Sequence, residues 1–395
     1  MRICLVQPSL PKLPSFFKKI INIPKTPLLF PPMGLLYIVS NSKYKQKIEI
    51  LDNRLEKLNE KDLFYRLKQF DVIGFSGTIF EVPQVIKVSK KLMSQNKITL
   101  YGGPNATVNW RLYLNRFSLI FRGEAEKVFD TVIDCLFLKN YALLKRLGFK
   151  RVGRTLVNKV PFRIQNLDAL NFPDRNLIDL KKYDRSIGSE YIKDYPIDVV
   201  VATRGCPYDC TFCSSKYIWG RRWTHRSVDN IIKEIKILKE NFGTKGIYFR
   251  EDNFTVSKNW VLEFCKKIKK LNIKWLCESR VDTLDEELIR EMSEAGCKGI
   301  WFGIESTNEN TLKIINKRFT METVRRTLNL CQKYGITTGG GFMVGFPHEN
   351  KQDILQTFKE SKNLNLDYTF YNRVWAIPKS ELYDEILKLN LDRYK

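Results

Sequence analysis

The chain has 395 residues, 43% of them hydrophobic and 28% charged, with a formal net charge of +24. That composition suits a soluble globular protein with room for two domains, and no apolar run reaches the roughly 18–20 residues of a membrane-spanning helix. Only two histidines occur, His225 and His348, so any function that needs a histidine in the N-terminal half is excluded.

From the start, short apolar runs alternate with helical patterns. RICLVQP, KIEILD, DVIGFSG, KITLYGG and SLIFRG read as buried strands. MGLLYIVSNS, EKDLFYRLKQ, EVPQVIKVSKKLMSQ, VNWRLYLNRF and EAEKVFDTVIDCLF carry apolar residues at helical spacing. Such alternation predicts a doubly wound, Rossmann-like parallel sheet over residues 1–140. Ligands bind such sheets beyond the carboxyl ends of the strands. Those ends carry Ser76-Gly77-Thr78, Gly102-Gly103-Pro104 and Gly123-Glu124. Glycine there lets a backbone approach a flat or bulky ligand, and equally serves a tight turn.

The alternation stops over residues 141–195, which read as a linker. RTLVNKVPF suggests a short hairpin and NFPDRNLIDLKKYDR an irregular connector with a Pro-Asp turn. A second array fills 196–395, with strands at IDVVVATRG, GIYFRED, IKWLCESR, GIWFGIES, TGGGFMVGF and YTFYNRVWAI. Five helices separate them, with Ser227 as an N-cap and Gly296 and Gly335 at C-terminal ends. Six strand–helix units fall short of the eight in a closed barrel. The expectation is a (β/α)6 partial barrel with its site at the C-terminal strand ends.

Just after the first strand of that array lies ATRGCPYDCTFCSS. Three of the nine cysteines, Cys206, Cys210 and Cys213, fall within eight residues. A loop with three thiols can wrap one face of an iron–sulfur cube and leave one iron without a protein ligand. The alternative is a closed structural zinc site, for which His225 is the nearby fourth ligand. Cys265, Cys277, Cys297 and Cys331 lie singly in helix or strand patterns and read as buried small hydrophobes.

The pattern C-x3-C-x2-C, with Phe212 before its last cysteine and after the first strand of a six-unit array, resembles the radical S-adenosylmethionine (radical SAM) enzymes. The resemblance implies a [4Fe–4S] cluster held by Cys206, Cys210 and Cys213. It also implies S-adenosylmethionine chelating the open iron and a 5′-deoxyadenosyl radical formed on reductive cleavage. The electron would come from an external donor such as flavodoxin or ferredoxin. On the same resemblance, FREDNFT looks like an acidic turn with Glu251 and Asp252. Arg280 in ESRVD suits the methionine carboxylate, Glu305 and Ser306 in FGIES suit the ribose, and the glycine-rich strand with Gly341 flanks adenine.

The N-terminal half is similar to the cobalamin-binding domain that precedes many radical SAM domains, which makes Ser76, Gly77, Gly102, Gly103 and Glu124 candidate cobalamin contacts. Without a histidine in that half, any bound cobalamin lacks a histidine lower ligand. The resemblance implies methyl transfer to an unactivated carbon of an unknown small-molecule or lipid substrate. A cyclase or rearrangement enzyme without methyl transfer is the alternative. A methylthiotransferase fits less well, because Cys4 and Cys135 are too few for a second cluster. Chain-end differences from relatives, Pro378-Lys379-Ser380 among them, leave substrate enclosure open.

The positive charge is spread along the chain without a basic tail or a nucleic-acid module. It reads as solvated surface, and a non-catalytic iron–sulfur protein on nucleic acid is the distant rival. MRICLVQPS lacks the apolar core and cleavage site of a signal peptide. The expected location is the cytoplasm, where thiols stay free or metal-bound.

Overall fold

The computed structural model describes residues 1–9, 29–186, 188–193 and 195–389, so the last six residues of the C-terminal segment lie outside the described residues. The chain divides into two compact units, Met1–Asp184 and Arg185–Lys395. No helix among the described residues is long and apolar enough to cross a membrane.

The first unit is built on a seven-stranded sheet. Its strands are β1 (Ile3–Gln7), β2 (Ile48–Asp52), β3 (Val72–Ser76), β4 (Ile98–Gly102), β5 (Leu119–Ile120), β6 (Phe149–Val152) and β7 (Thr155–Asn158), in spatial order β2–β1–β3–β4–β5–β7–β6. Every neighbouring pair is parallel except the β6–β7 hairpin. In β1, Cys4 and Val6 enter one core while Ile3 and Leu5 enter the other. Both faces are covered, which is why the strand reads as a continuous apolar run. Helices Glu60–Leu67 and Val82–Ser94 cover the first face, and Met33–Ser40 and Phe129–Phe137 the second. The chain reverses direction across the sheet between β1 and β3, the switch point where open α/β sheets bind ligands.

Two details differ from the expectation. The helix read over VNWRLYLNRF starts earlier, at Pro104, and gives way at Trp110 to a 3-10 turn. Pro104 opens it because its fixed φ suits a first helical turn. The segment read as a linker is also more ordered. It contributes helix Tyr141–Arg146 and the β6–β7 hairpin, whose β7 runs parallel beside β5. The irregular remainder is a series of 3-10 turns in which Asn166, Asp174 and Asp179 each accept from the amide two residues on.

The second unit holds β8 (Ile197–Val200), β9 (Thr203–Arg204), β10 (Thr224–His225), β11 (Gly246–Phe249), β12 (Lys274–Ser279), β13 (Cys297–Glu305), β14 (Thr337–Val344) and β15 (Tyr368–Arg373). The six longer strands form one parallel sheet in the order β8–β11–β12–β13–β14–β15, and β9 pairs with β10 in a separate two-stranded ladder. Six strand–helix units are present, as expected, with β8 and β15 as edges. Side-chain caps start the intervening helices: Ser227 accepts from Asn230, Ser257 from Trp260, Asp285 from Leu288, and Asn350 forms a capping box with Asp353. Gly296 and Gly335 follow helix ends with φ of 94° and 66°. The helices pack on the outer sheet face, on Ile247, Phe249, Trp275, Cys277, Ile300, Phe302 and Phe342. Cys265, Cys297 and Cys331 are buried in that same core.

Candidate functional site

The chain leaves β8 and enters a loop that the β9–β10 ladder closes at its base, pairing Thr203 with His225 and Arg204 with Thr224. The loop between them, residues 205–223, carries all three motif cysteines. Its first residue, Gly205, has φ 89°, and a Cβ there would lie 2.2 Å from the Arg222 carbonyl oxygen. Only glycine fits. Halfway round, the Thr211 amide donates to the Ile315 carbonyl at 3.1 Å, and the Thr211 carbonyl accepts from Leu382 at 3.1 Å. The loop is therefore held from two sides.

Glu251, two residues past the end of β11, fixes the loop's start. Its Oε1 accepts from the amides of Ala202 at 2.5 Å and Thr203 at 2.9 Å, and the Thr203 hydroxyl donates to Oε2. Burial pushes its carboxyl up to about 7 against these donors, which favour the charged form. Glu251 thus holds the chain's own amides, whereas Asp252 is exposed.

Cys210 is buried, and Cys206 and Cys213 are partly so. Burial pushes the Cys206 thiol up to about 11 and the Cys213 thiol up to about 12. Two N–H donors already face sulfur: Arg280 Nη1 lies 3.5 Å from Cys210 Sγ, and the Ser215 amide 3.4 Å from Cys213 Sγ. Donors of this kind behind thiolate ligands tune iron–sulfur sites. Arg280 comes from the end of β12 and is locked in place. It makes two 2.8 Å bonds to Asp282 and one of 2.5 Å to the Lys317 carbonyl, and it stacks 3.9 Å over the Tyr208 ring.

A second cation lies close by. Lys317 is buried, pairs with Glu305 at 3.3 Å, and lies 5.8 Å from the Phe212 ring. Glu305 itself takes φ 75° at the end of β13. Ser306 is fully buried and accepts from the Asn308 amide at 3.1 Å. Phe212 packs edge-on to Phe346, with ring centres 6.4 Å apart. Gly341 sits on β14 opposite Gly303.

The donor set fits a cluster. Three soft thiols share one loop, two N–H groups point at them, and the buried Ser215 Oγ, two residues after Cys213, has no hydrogen-bond partner among the described residues. The fourth zinc ligand considered from sequence does not join them. His225 is exposed, with its ring 4.7 Å from Trp223 and its Nδ1 3.0 Å from the Arg226 carbonyl. Among the described residues, no three His, Cys, Asp or Glu side chains converge on a single-ion site.

At the strand ends of the first unit, Gly103 has φ 92° and its Cβ position lies 2.8 Å from Ser76 Oγ. A Cβ on Gly77 would meet Glu81 at 2.9 Å, while one on Gly102 would make only ordinary contact with Phe121. Glu124 is buried and engaged within the unit: it accepts from the Ile164 amide at 2.7 Å and from Arg163 at 3.2 Å. Three residues of the second unit escaped the sequence reading: Tyr208, Asp282 and Lys317. Tyr208 lies inside the cysteine motif and was in reach. Lys317 follows an ordinary amphipathic stretch, with nothing local to mark it.

The profile of the Radical SAM superfamily matches residues 200–360. Across 99% of its length the chain is 31% identical to an uncharacterized methyltransferase of Pyrococcus horikoshii, covering 84% of that protein. It is 28% identical to an anaerobic magnesium-protoporphyrin IX monomethyl ester cyclase of Synechocystis, over 91% of this chain and 72% of that one. Among solved structures it resembles the radical S-adenosylmethionine methyltransferase TsrM of Kitasatospora setae with cobalamin and a [4Fe-4S] cluster bound. That match has a TM-score of 0.74 at 16% identity over 98% of this chain and 78% of that one, a likeness of fold.

Proposed function

The chain belongs to the radical SAM enzymes, and from that premise we propose that it transfers a methyl group to an unactivated carbon with the help of cobalamin. One observation carries the radical part: three thiols on the loop leaving β8, with the Arg280 guanidinium against Cys210 Sγ at 3.5 Å. Cys206, Cys210 and Cys213 would hold a [4Fe–4S] cluster. Arg280 and Lys317 oppose the negative charge gathered there. The Glu251 clamp on Ala202 and Thr203 keeps the loop from shifting as ligands come and go. Asp252, Glu305, Ser306, Phe212 and Gly341 are the proposed nucleotide-side contacts. When bound, the cluster supplies the electron that cleaves S-adenosylmethionine, and cobalamin carries the methyl group.

Cobalamin binding rests on two supports: the switch point between β1 and β3, and the likeness of fold to a protein solved with cobalamin. Ser76, Gly77, Gly102 and Gly103 would form the cradle, with Glu124 buttressing its edge through Arg163. A second reading, cyclisation or rearrangement without methyl transfer, draws on the 28% identity to the cyclase.

Anaerobic reconstitution with S-adenosylmethionine labelled in its methyl group tests both. About four irons per chain and 5′-deoxyadenosine are expected under either reading. A corrinoid absorbance band that acquires label supports methyl transfer. Turnover with an unlabelled corrinoid and unlabelled product favours rearrangement, and a chain that cleaves no S-adenosylmethionine refutes both.

A further inference from the structure

The positive charge is not evenly spread. From Cys135 to Leu167 the sequence holds eight Lys and Arg and no Asp or Glu, in a chain that carries 43 acids to 67 bases. In the structure this stretch forms the far edge of the first sheet: helix Tyr141–Arg146, then the β6–β7 hairpin, with β6 as the last strand. Lys139, Lys145, Arg146, Lys150, Arg154 and Lys159 are exposed, and none has an ion-pair partner among the described residues. The two most exposed large apolar side chains among the described residues lie in the same stretch, Leu138 at 77% and Val160 at 73%.

Local contacts draw these residues onto one edge. Leu138 caps the end of helix Phe129–Phe137, and Lys139, with φ 52°, turns the chain into helix Tyr141–Arg146. At the start of that helix the Arg151 guanidinium of β6 lies 5.6 Å from the centre of the Tyr141 ring. At its end the Gly148 amide donates to the Lys145 carbonyl at 3.0 Å, and the Gly148 carbonyl accepts from the Lys159 amide at 2.9 Å. Leu138 and Val160 therefore stand near opposite ends of one helix of 6 residues, roughly 9 Å long. Its inward contact is Leu144, buried with Phe149 and Leu156, while Lys145 and Arg146 stay exposed.

Packing does not require the two apolar tips. Leu136, Leu143 and Leu147 rest against the core, whereas Leu138 and Val160 keep most of their surface in solvent. Charged side chains protect an edge strand from pairing with another sheet, and Lys150 and Arg151 on β6 suffice for that. They leave the other cations and the exposed aliphatic tips unexplained. A nucleic-acid groove would combine cations with open aromatic faces on which bases stack. Here the most exposed apolar groups are aliphatic, and Arg151 already covers the Tyr141 ring. Cations interleaved with aliphatic tips match the boundary of an anionic bilayer instead, where Lys and Arg reach the headgroups and apolar tips enter beneath them.

We propose that this edge of the first sheet is a docking surface for an anionic lipid bilayer. Leu138 and Val160 enter the headgroup boundary, and Lys139, Lys145, Arg146 and Lys159 face the lipid charges. Each cation close to such a surface strengthens binding by about fivefold. Docking of this kind needs no membrane-spanning helix, and it weakens as salt rises. The inference is independent of the radical and methyl-transfer readings.

The test is sedimentation of the full reconstituted chain with vesicles of phosphatidylcholine, either alone or with about one-third phosphatidylglycerol, at physiological ionic strength. Saturable binding is expected for the anionic vesicles, with binding to phosphatidylcholine alone about tenfold weaker or more. Lys139→Gln together with Lys145→Gln should weaken anionic-vesicle binding about twentyfold. Lys233→Gln with Lys236→Gln removes the same charge from an exposed helix of the second unit, and should change binding by less than about twofold. Leu138→Ser and Val160→Ser keep every charge. Each should weaken vesicle binding about fivefold and leave binding of a single-stranded oligouridylate unchanged. All six positions are exposed, and circular dichroism checks the fold of each variant. No binding to anionic vesicles, equal losses from the two lysine pairs, or indifference to both Leu138→Ser and Val160→Ser would each overturn the docking surface. Tighter binding of the oligouridylate, lost with Lys139 and Lys145 but untouched by Leu138→Ser, would overturn it in favour of nucleic acid.

Discussion

The two sheets end their strands in opposite ways. In the first unit the carboxyl ends of β3 and β4 offer backbone, with Ser76-Gly77 and Gly102-Gly103, and the charged residue nearby, Glu124, is bonded to Arg163 and Ile164. In the second unit the ends deliver side chains. Thiols, Arg280 and Lys317 gather around one loop, and Ser215 Oγ has no partner among the described residues. One end presents backbone, and the other presents thiols and charge. The contrast predicts that substitutions in the second unit act on chemistry first, and those in the first unit on fit.

The largest effect should come from the thiols. Cys206→Ala, Cys210→Ala or Cys213→Ala each removes one of three cluster ligands. Iron per chain should fall from about four to below one. Formation of 5′-deoxyadenosine should fall by more than the roughly 10–100-fold expected for residues standing behind a metal ligand. A colorimetric iron assay with chromatography of the nucleoside checks both. Serine or alanine variants that keep full iron would erase the distinction between the two strand ends.

Next in size is Arg280. Its removal leaves Asp282 without a two-point partner and the Lys317 carbonyl without a donor. Asp282 is 21% exposed, so water softens the loss. Arg280→Gln should cost about 2 kcal/mol, below the 3–5 of a fully buried pair. Cluster retention should also weaken by about 10–100-fold. Arg280→Lys keeps the charge but not the planar fork, and should restore stability only in part. Denaturant titration followed by cluster absorbance separates the two losses.

Glu251 gives the contrast a pH dependence. Its folded-state value, about 7, lies above the ordinary one. A raised acid contributes stability that is fully present below the unfolded value and lost as pH rises through the folded one. Between about pH 4.5 and 7, stability should therefore fall by roughly 2–3 kcal/mol relative to Glu251→Gln, and run parallel above that. Unfolding midpoints of both proteins across pH 5–8 measure the difference. Parallel curves throughout would mean that the three donors facing the carboxylate outweigh its burial.

These expectations also mark what the sequence could and could not convey. Alternation between strand and helix periods was legible in both units because each core wants apolar residues at fixed intervals, as Cys4 and Val6 against Ile3 and Leu5 illustrate. The cysteine loop was legible because its spacing is local. Arg280 was found only through its place after a strand. Lys317 was not found, because what makes it special is a contact with Glu305 across strand and helix. Glu251 reads from sequence as one of a pair with Asp252 in an acidic turn, yet its oxygens accept from Ala202 and Thr203. A single acidic residue at a strand end carries no mark of which way it faces. The 3-10 turns and the hairpin within 141–195 were legible as turns, not as part of the first sheet, because strand pairing with β5 is a long-range fact.

The smallest effects should distinguish a turn from a cradle within the first unit. Gly103 has φ 92°, and a methyl group there would press on Ser76 Oγ at 2.8 Å. Gly103→Ala should therefore cost about 1–2 kcal/mol by backbone strain alone, with or without ligand. Gly102 is different: its added methyl would meet only Phe121 Cβ at 3.8 Å. Gly102→Ala should leave the unfolding free energy within about 0.5 kcal/mol. If the strand end is where cobalamin approaches, the same methyl group should still lower cobalamin retention, measured by the corrinoid band after gel filtration. A Gly102→Ala protein that retains cobalamin as well as wild type would make this glycine an ordinary strand end. The first unit's open backbone would then need another explanation than ligand approach, since nothing in its own packing requires a residue without a side chain at that position.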